Sequence, residues 1–303
     1  MRPLAQNLFI GTAGWSYPDW NNLVYPHRRP QDFAELRFLS ELFNVVEINS
    51  TYYHPQSTGA AREWLKQTAA NPRFRFTAKL WQKFSLEKVR AGEAGYSQAD
   101  VEIAKRGMRP LLETGRFGAL LVQFPQSFHY TADNRDRLAR LLEAFQEYPL
   151  VLEIRHDSWN QPEAMRLLNE RGVGLANVDQ PQIGHARGFT EVVSGRVAYF
   201  RFHGRNHAQW FNKEAGVEQR YDYLYNAAEL DTFVRAIQQA LRQTAGVFAI
   251  FNNHPRGQAV VNALQLQFAL AGIKVRVPEK LLQAHPALAA LRLGDNPRQT
   301  ELF

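Results

Sequence analysis

The chain has 303 residues, long enough for one large domain or two smaller ones, and its apolar fraction of 45% is typical of a globular protein. The absence of cysteine excludes disulfides, a thiolate nucleophile and cysteine-ligated metal centres. A net charge of +7 and a pI of about 9.7 favour anionic partners such as nucleic acid or phosphorylated metabolites, although solubility alone also explains the charge.

Short β-rich runs alternate with amphipathic helical segments along most of the chain. The predicted strands cover residues 8–11, 45–49, 74–79, 119–124, 150–155, 174–179, 197–203 and 247–252. The predicted helices cover residues 31–43, 59–68, 99–114, 134–147, 161–171, 227–242 and 258–270. This rhythm predicts a single-domain α/β fold, a (β/α)8 TIM-like barrel over residues 1–277, followed by a C-terminal extension over 278–303. The crossover at 180–196 has no clear helix, and a doubly wound open sheet is the alternative.

Charged and polar residues occupy alternate positions within these strands. Because strand side chains alternate between faces, one register meets the helices and the other faces the barrel lumen. The apolar register holds Val46, Ile48, Phe76, Ala78, Val122, Phe124, Leu152, Ile154, Val178, Phe200 and Phe202. The register expected to face the lumen holds Glu47, Asn49, Thr77, Lys79, Gln123, Glu153, Arg155, Asn177, Asp179, Arg201 and His203. A purely structural barrel fills its lumen with branched apolar side chains, so this pattern predicts a site.

The polar register contains groups suited to proton transfer and to binding an anion. Carboxylates near fixed cations can act as general bases, and histidine titrates near neutrality. The candidate catalytic residues are Glu47, Glu153, Asp179 and His203. Arginine binds phosphate or carboxylate through paired hydrogen bonds, and aromatic loops can stack a planar substrate. The candidate substrate-binding residues are Trp15, Tyr17, Asn49, Lys79, Gln123, Arg155, His156, Arg201, Arg205, Tyr221, Asp222 and Asn252. Ion pairs that satisfy each other within the lumen are the structural alternative for part of this set.

No cofactor is assigned from the sequence. Several carboxylates and histidines of the predicted site are ligand types that divalent metals accept. No H-x-x-x-H or H-E-x-x-H pair fixes a metal geometry, and the nearby arginines and lysine would repel a cation. The sequence therefore leaves a divalent metal open and favours its absence.

Eight stretches of the chain resemble one known family. They are IGTAGWSYPDW, VVEINSTYY, RFRFTAK, LLVQFPQSF, LEIRHDSW, YFRFHGR, YDYLY and FNN, in order from residue 10 to 253. On these motifs the chain is identified as a member of the YecE-like proteins, domain-of-unknown-function family seventy-two. The resemblance implies a TIM-like barrel, in agreement with the strand pattern, and carries no settled biochemical activity. NVDQP at 177–181 is a variant of a stretch that often reads closer to VVDSP in the family.

The chain ends in NPRQTELF, where Gln299, Leu302 and Phe303 form a Q-x-x-L-F pattern. This pattern resembles the peptide by which bacterial replication and repair proteins bind the sliding clamp, with the apolar side chains in a pocket and the glutamine as a hydrogen-bonding anchor. The alternative is that Leu302 and Phe303 pack back on the barrel. The N-terminal stretch lacks the apolar run of a signal peptide and no segment approaches a membrane span, so we expect a cytoplasmic protein with no membrane partner.

Three functions follow from these features. The first is an enzyme acting on a nucleic-acid or nucleotide phosphodiester, DNA or RNA, recruited to the sliding clamp by its tail. The second, close behind, is an enzyme acting on a phosphorylated or acidic metabolite, with Glu153 and His203 as acid and base; in either case we expect a barrel enzyme of the hydrolase or lyase/isomerase type. This second function predicts a pocket too small for a nucleic-acid strand. The third is a non-catalytic binding or adaptor protein.

Overall fold

Eight parallel strands close into a barrel in the order β1-β2-β3-β4-β5-β6-β7-β8. The computed structural model describes residues 4–87, 93, 95–182, 184–185, 187–210 and 216–293. The strands are β1 (Leu8–Ala13), β2 (Val45–Ile48), β3 (Arg75–Lys79), β4 (Phe117–Gln123), β5 (Leu150–Glu153), β6 (Gly174–Asp179), β7 (Val197–Phe202) and β8 (Gly246–Phe251). The predicted TIM-like barrel is therefore confirmed, and the open-sheet alternative is wrong because β1 pairs with β8.

Helices surround the barrel. The α-helices among the described residues are α1 (Glu35–Leu42), α2 (Ser50–Tyr53), α3 (Thr58–Gln67), α4 (Lys83–Leu86), α5 (Gln98–Glu113), α6 (Ala132–Ala144), α7 (Pro162–Glu170), α8 (His207–Trp210), α9 (Val217–Tyr221), α10 (Ala227–Ala240), α11 (Gln258–Ala271) and α12 (Glu279–Ala284). Short 3-10 helices span Pro18–Trp20, Asp157–Trp159, Pro255–Gly257 and Pro286–Leu291. Ser97 and Asn226 begin α5 and α10 with capping boxes, since each side chain accepts the backbone N–H three residues on.

The crossover from β6 to β7 contains no helix within its described residues, as the sequence predicted. Its extended chain lies against the outer face of β6, where Asn177 binds it. Oδ1 of Asn177 accepts from the Val192 backbone N–H over 2.9 Å and from Thr190 Oγ1 over 2.6 Å, and Nδ2 donates to the Val192 carbonyl over 2.9 Å. A polar side chain here replaces the apolar contacts that a packed helix would make, because an extended segment has free backbone groups to satisfy.

The orientation of β6 corrects one prediction. Residues paired across adjacent parallel strands point to the same side of the sheet, and Val178 pairs with Arg201 while Asp179 pairs with Phe202. Val178 belongs to the apolar cluster inside the barrel, whereas Phe202 packs beneath the helices. Asn177 and Asp179 therefore face outward, and the prediction that they line the lumen is wrong. The small residues of β6 gave no reliable sign of its buried face.

The C-terminal part of the described chain packs on the barrel core through Leu281, Leu288 and Leu291. A bridge between Val275 and Arg292 ties this part to the segment that follows α11. Gln299, Leu302 and Phe303 lie outside the described residues, and the domain boundary at 277 stays a prediction. Among the residues described, no helix combines the length and the apolar character needed to cross a membrane.

Candidate functional site at the barrel mouth

The barrel lumen holds three fully buried charged side chains, Glu47, Arg201 and Glu153, which we call the lumen triad. Nη2 and Nε of Arg201 donate to the two oxygens of Glu47 over 2.7 and 3.1 Å, and Nη1 donates to Oε2 of Glu153. The Tyr199 hydroxyl donates to Oε2 of Glu47 over 2.9 Å and lies 2.8 Å from Thr77 Oγ1. All three triad side chains are 0% exposed. A buried charge without a partner costs several kcal/mol, so these contacts explain how the interior tolerates the triad.

Contacts within the lumen triad fix the protonation of Glu153 and Arg201. Burial alone would raise the pKa of the Glu153 carboxyl, but the guanidinium groups of Arg201 and Arg155 outweigh burial and hold this pKa well below its usual range. Burial opposes the charge on Arg201 as well, yet the carboxylates of Glu47 and Glu153 raise the pKa of Arg201 above its usual value. Glu153 is therefore ionised at neutral pH and has no proton to give as a general acid.

His203 lies directly against the triad and is 1% exposed. Its Nε2 is 3.3 Å from Nη1 of Arg201, and its Nδ1 is 2.9 Å from the side-chain amide of Asn252. Both neighbouring atoms are donors, Nη1 of Arg201 at Nε2 and the amide Nδ2 of Asn252 at Nδ1, and a neutral imidazole accepts through only one of its two nitrogens. Burial lowers the pKa of His203 well below its usual range, and Arg201 adds to this effect. His203 is therefore a neutral imidazole, with one of its two ring nitrogens unprotonated.

Two further cations face the mouth with donors to spare. Nε and Nη2 of Arg155 lie 3.3 and 3.2 Å from Oε1 of Glu153, and the Arg155 side chain is 27% exposed. Its Nη1 has no hydrogen-bond partner among the described residues. Nζ of Lys79 lies 4.9 Å from the centre of the Tyr52 ring, and it has neither a carboxylate nor a hydrogen-bond partner in the described part of the chain.

Two buried amide oxygens at the mouth are unpaired. Oδ1 of Asn49 and Oε1 of Gln123 accept no hydrogen bond from the described residues. Asn49 follows β2 and Gln123 ends β4, so they come from the strands on either side of Lys79 in β3. An unsatisfied buried acceptor costs about 1–3 kcal/mol. Such atoms indicate where a bound molecule would donate hydrogen bonds.

Aromatic rings form one side of the mouth, and we call them the aromatic rim: Tyr17, His254, Tyr221 and Trp210. Tyr17 stacks on His254 with ring centres 4.2 Å apart and an interplanar angle of 6°. The Tyr221 ring lies 5.9 Å from that of His254 and 5.6 Å from that of His203. Trp210 completes the rim at 5.6 Å from Tyr221. The rim leads directly to the imidazole of His203.

Sequence comparison places this chain in one protein family. The profile of the family described as protein of unknown function DUF72 matches residues 9–286. The chain belongs to the DUF72 family. Over 270 residues it is 27% identical to the UPF0759 protein YunF of Bacillus subtilis strain 168, covering 86% of this chain and 93% of that one. The family inferred from the eight motifs is confirmed.

Solved structures of DUF72 family proteins share the fold. One from Thermotoga maritima MSB8 is 35% identical with a TM-score of 0.74, covering 87% of this chain and 98% of that one. Another, from Enterococcus faecalis V583, is 28% identical with a TM-score of 0.76 and covers 87% of this chain and 95% of that one. These relatives extend the barrel to the family and assign no chemistry to its mouth.

Two residues predicted for the mouth of this DUF72 barrel lie outside the lumen. Asp179 accepts from Nε of Arg205 over 3.0 Å, from its Nη2 over 2.7 Å, and from the Tyr225 hydroxyl over 2.6 Å. Nη1 of Arg205 donates to Glu229 over 3.1 Å, and Glu229 also accepts from Tyr223 over 2.7 Å. We call these five residues the outer network. Asp179 and Arg205 are committed to it, so their predicted catalytic and substrate-binding roles are not supported by their position.

Three other predicted binding residues have contacts that hold the loops of the DUF72 barrel. His156 accepts from the Ser158 N–H over 3.1 Å and so begins the 3-10 helix at Asp157–Trp159. Asp222 accepts from Gln258 over 2.7 Å and pairs with Arg256 over 3.0 Å, which joins the loops after β7 and β8. The Trp15 ring contacts Trp64 edge-on, with ring centres 5.6 Å apart. These contacts leave the lumen triad, His203, Arg155 and Lys79 as the chemical centre of the mouth.

Sequence reasoning did not select two residues that complete the site. Tyr199 lies two positions before Arg201 in the same register, and this spacing was the available signal. Its aromatic ring resembles a core side chain, while its hydroxyl binds Glu47, 152 positions away in the sequence. Tyr52, whose ring lies beneath Lys79, belongs to the short helix α2 and carried no pattern of its own.

A groove of about 850 Å³ lies away from the mouth, and its lining includes Leu4, Asn44 and Arg73 near the N-terminal ends of the strands and Lys274 and Arg276 after α11. It gathers no cluster of buried charged groups comparable to the lumen triad. Within the described residues, no group of three or more histidine and carboxylate side chains is placed to hold a metal ion. The carboxylates of the lumen bind Arg201 instead.

Proposed function

We propose that this DUF72 protein is an enzyme that acts on a small metabolite carrying phosphate or carboxylate, bound at the barrel mouth. In this proposal Arg155 holds the anionic group, and His203 accepts a proton from the substrate. Asn49 and Gln123 accept hydrogen bonds from hydroxyl groups of the same molecule. The proposal rests on one observation: the lumen triad is fully paired, while hydrogen-bond donors of Arg155 and Lys79 and acceptors of Asn49 and Gln123 around it have no partner among the described residues.

The charge balance supports an anionic ligand. Glu47 and Glu153 are matched by Arg201 and Arg155, so a protonated Lys79 leaves a net positive charge at the mouth. Arg155 uses one side of its guanidinium on Glu153 and keeps Nη1 available, and arginine binds phosphate or carboxylate well through such a free edge. An anion at this point would satisfy Arg155 without disturbing the triad.

Burial supports a small substrate. Glu47, Glu153 and Arg201 are 0% exposed, and His203 is 1% exposed, so only a slender group can reach them along the lumen. A nucleic-acid duplex, whose major groove alone is about 12 Å wide, stays outside such a mouth. A sugar phosphate or a sugar acid has both the anionic group and the hydroxyl donors that the unpaired atoms require.

His203 supports proton transfer rather than simple binding. Nε2 of this neutral imidazole lies beside Arg201 in the lumen, where a substrate proton would be exchanged. A bound anion opposes the effect of Arg201 on the imidazole, because a nearby negative charge favours the protonated form. Binding of the substrate would therefore increase the basicity of His203 at the moment when a base is needed.

Isothermal titration with 3-phosphoglycerate, glucose 6-phosphate and gluconate tests the anion site. We expect Arg155→Met to weaken the binding of whichever anion binds by about ten-fold or more, equivalent to about 1.4 kcal/mol. Arg166→Met, an exposed arginine on α7, is the matched control and should bind like the unmodified chain. Equal affinities for the Arg155→Met and Arg166→Met variants would contradict the proposal.

A nucleic-acid substrate is the second candidate, favoured by the charge of +7 and by the aromatic rim, on which single-stranded bases could stack. Fluorescence anisotropy with single- and double-stranded DNA and RNA across a salt series separates the two candidates. Salt-sensitive binding that Arg155→Met weakens would favour nucleic acid at the mouth.

Recruitment to the sliding clamp is tested by comparing the full chain with a chain that ends at residue 297. Equal clamp binding by the two chains would exclude the Q-x-x-L-F tail as the clamp-binding peptide.

A further inference from the structure

Lys79 is the one lumen cation at the mouth without a carboxylate partner among the described residues. Arg201 has two carboxylates and Arg155 has one, whereas the Lys79 amine faces only the Tyr52 ring. Cation–π contact compensates a buried ammonium less than an ion pair does. The positive charge of such an amine is either compensated by a bound anionic ligand or removed by loss of the proton.

The surroundings of Lys79 increase the neutral fraction of its amine. Burial, together with the positive charge of Arg201 and against the opposing effect of Glu47, lowers the pKa of Lys79 to about 8. The other charged groups that act on it are Glu153, which raises the pKa, and Arg155, which lowers it. Near pH 8 about half of such an amine is unprotonated, against less than about 1% for an ordinary lysine. A neutral lysine amine is a nucleophile toward carbonyl carbon.

We infer that Lys79 forms an imine with the carbonyl group of an anionic substrate, an inference that rests on the anion site proposed above. Nζ adds to the carbonyl carbon to give a carbinolamine. The carbon–oxygen bond then breaks, the carbon–nitrogen double bond forms, and the oxygen leaves as water with the two hydrogens of the neutral amine. The substrate class is therefore a 2-oxo acid or a ketose phosphate.

The neighbours of Lys79 suit this step. Asn49 and Gln123 flank it from the two adjacent strands, and their unpaired oxygens can accept the hydroxyl hydrogen of the carbinolamine. Arg155 supplies the anion contact, so Lys79 is not needed as the cation that binds the substrate. Arg155 binds the anionic group and Lys79 reacts with the carbonyl carbon, so the two side chains have distinct roles. The anion site alone does not explain why both are present at one mouth.

Trapping with sodium cyanoborohydride tests the inference on the full chain. The protein is incubated at pH 8 with pyruvate, dihydroxyacetone phosphate or acetone, and peptide mass mapping locates the reduced adduct. Its mass gain equals the mass of the carbonyl compound less one oxygen atom. We expect Lys79 to be labelled by an anionic compound at least about ten-fold faster than Lys83, whose ammonium is paired with Asp100 over 2.8 Å.

Variants separate this inference from the proposed function. Lys79→Arg keeps the charge and should abolish the fast adduct, while Lys83→Arg, the matched control, should leave it unchanged. Labelling of Lys79 no faster than Lys83, with Arg155-dependent anion binding intact, would overturn the imine and keep the anion site. Equal labelling of Lys79 by acetone and pyruvate would overturn the anionic substrate class. Preference for pyruvate or for dihydroxyacetone phosphate identifies the carboxylate or the phosphate as the anionic group.

Discussion

The lumen triad and the outer network are built from the same chemistry on opposite faces of the barrel wall. In each, one arginine lies between two carboxylates, and tyrosine hydroxyls donate to the carboxylates. They differ in burial: Arg201 is 0% exposed, whereas the Arg205 side chain is 34% exposed. They also differ in their surroundings: the lumen triad has the cations Arg155 and Lys79 beside it with donors unused by the described residues, whereas the outer network adjoins one unpaired oxygen, that of Asn253, whose amide donates to the Tyr223 carbonyl. An arginine–carboxylate cluster alone therefore does not mark a site; unmatched cations beside it do.

Removing each arginine gives the largest expected contrast. Arg201→Met leaves two fully buried carboxylates without their main counter-ion, and we expect it to lower the free energy of unfolding by about 3–5 kcal/mol at pH 7. Arg205→Met opens a partly exposed cluster to water, and we expect a loss of about 1 kcal/mol. Urea unfolding of the two variants measures both values. Losses of equal size would show that the difference in burial does not determine how much each arginine contributes to the free energy of unfolding.

Removing one tyrosine hydroxyl from each cluster should change the free energy of unfolding by an intermediate amount. Here we expect the larger loss in the outer network. The Tyr225 hydroxyl accepts from the Gly204 N–H over 2.7 Å and donates to Asp179, so Tyr225→Phe leaves the buried Gly204 N–H unpaired while Asp179 keeps its bonds from Arg205. We expect a loss of about 2 kcal/mol, against about 1 kcal/mol for Tyr199→Phe, since Glu47 keeps both bonds from Arg201. The same urea series compares them. A larger loss for Tyr199→Phe would contradict the weight given to the bond from the Gly204 N–H to the Tyr225 hydroxyl.

The smallest effect is the acid dependence of stability. Arg201 and Arg155 outweigh burial and lower the pKa of Glu153 in the folded protein, so its ionised form stabilises the fold above about pH 4.3, its unfolded value, and this contribution is lost as the pH falls. Between about pH 5 and 3 the unmodified chain should lose on the order of 1 kcal/mol more than Glu153→Gln. Glu63→Gln, an exposed carboxylate on α3, should follow the unmodified chain. Parallel curves for all three would contradict the role given to Glu153.

Alternation of charged and apolar residues was enough to predict the lumen face of β2, β3, β5 and β7. A strand that carries Glu153 and Arg155 in one register and Leu152 and Ile154 in the other has a single stable orientation, because the charged face cannot meet the helices. The burial of the apolar register under helices agrees with this reasoning. Closure of the sheet was predicted from the number and order of such strands, whereas membership of the family was inferred from the resemblance of the eight motifs.

The orientation of β6 and the place of Arg205 could not be predicted in this way. Ala176 is small enough for either face, and Asn177 faces outward because the crossover that it binds has no helix. Arg205 follows Gly204, whose φ of +92° ends the alternation of β7, and a Cβ on Gly204 would lie 2.6 Å from that of Tyr223. The backbone turns there, so the register of His203 no longer fixes the direction of Arg205.

The helix-free crossover has a consequence for how the mouth can diversify. After β6 the chain passes beside the extension of β5, where the Arg187 N–H donates to the Arg155 carbonyl over 2.9 Å and the Asp157 N–H donates to the His185 carbonyl over 3.2 Å. The same extended segment thus covers the outer face of β6 and borders the barrel mouth next to Arg155. Insertions or deletions in it can reshape substrate access without repacking a helix against the barrel.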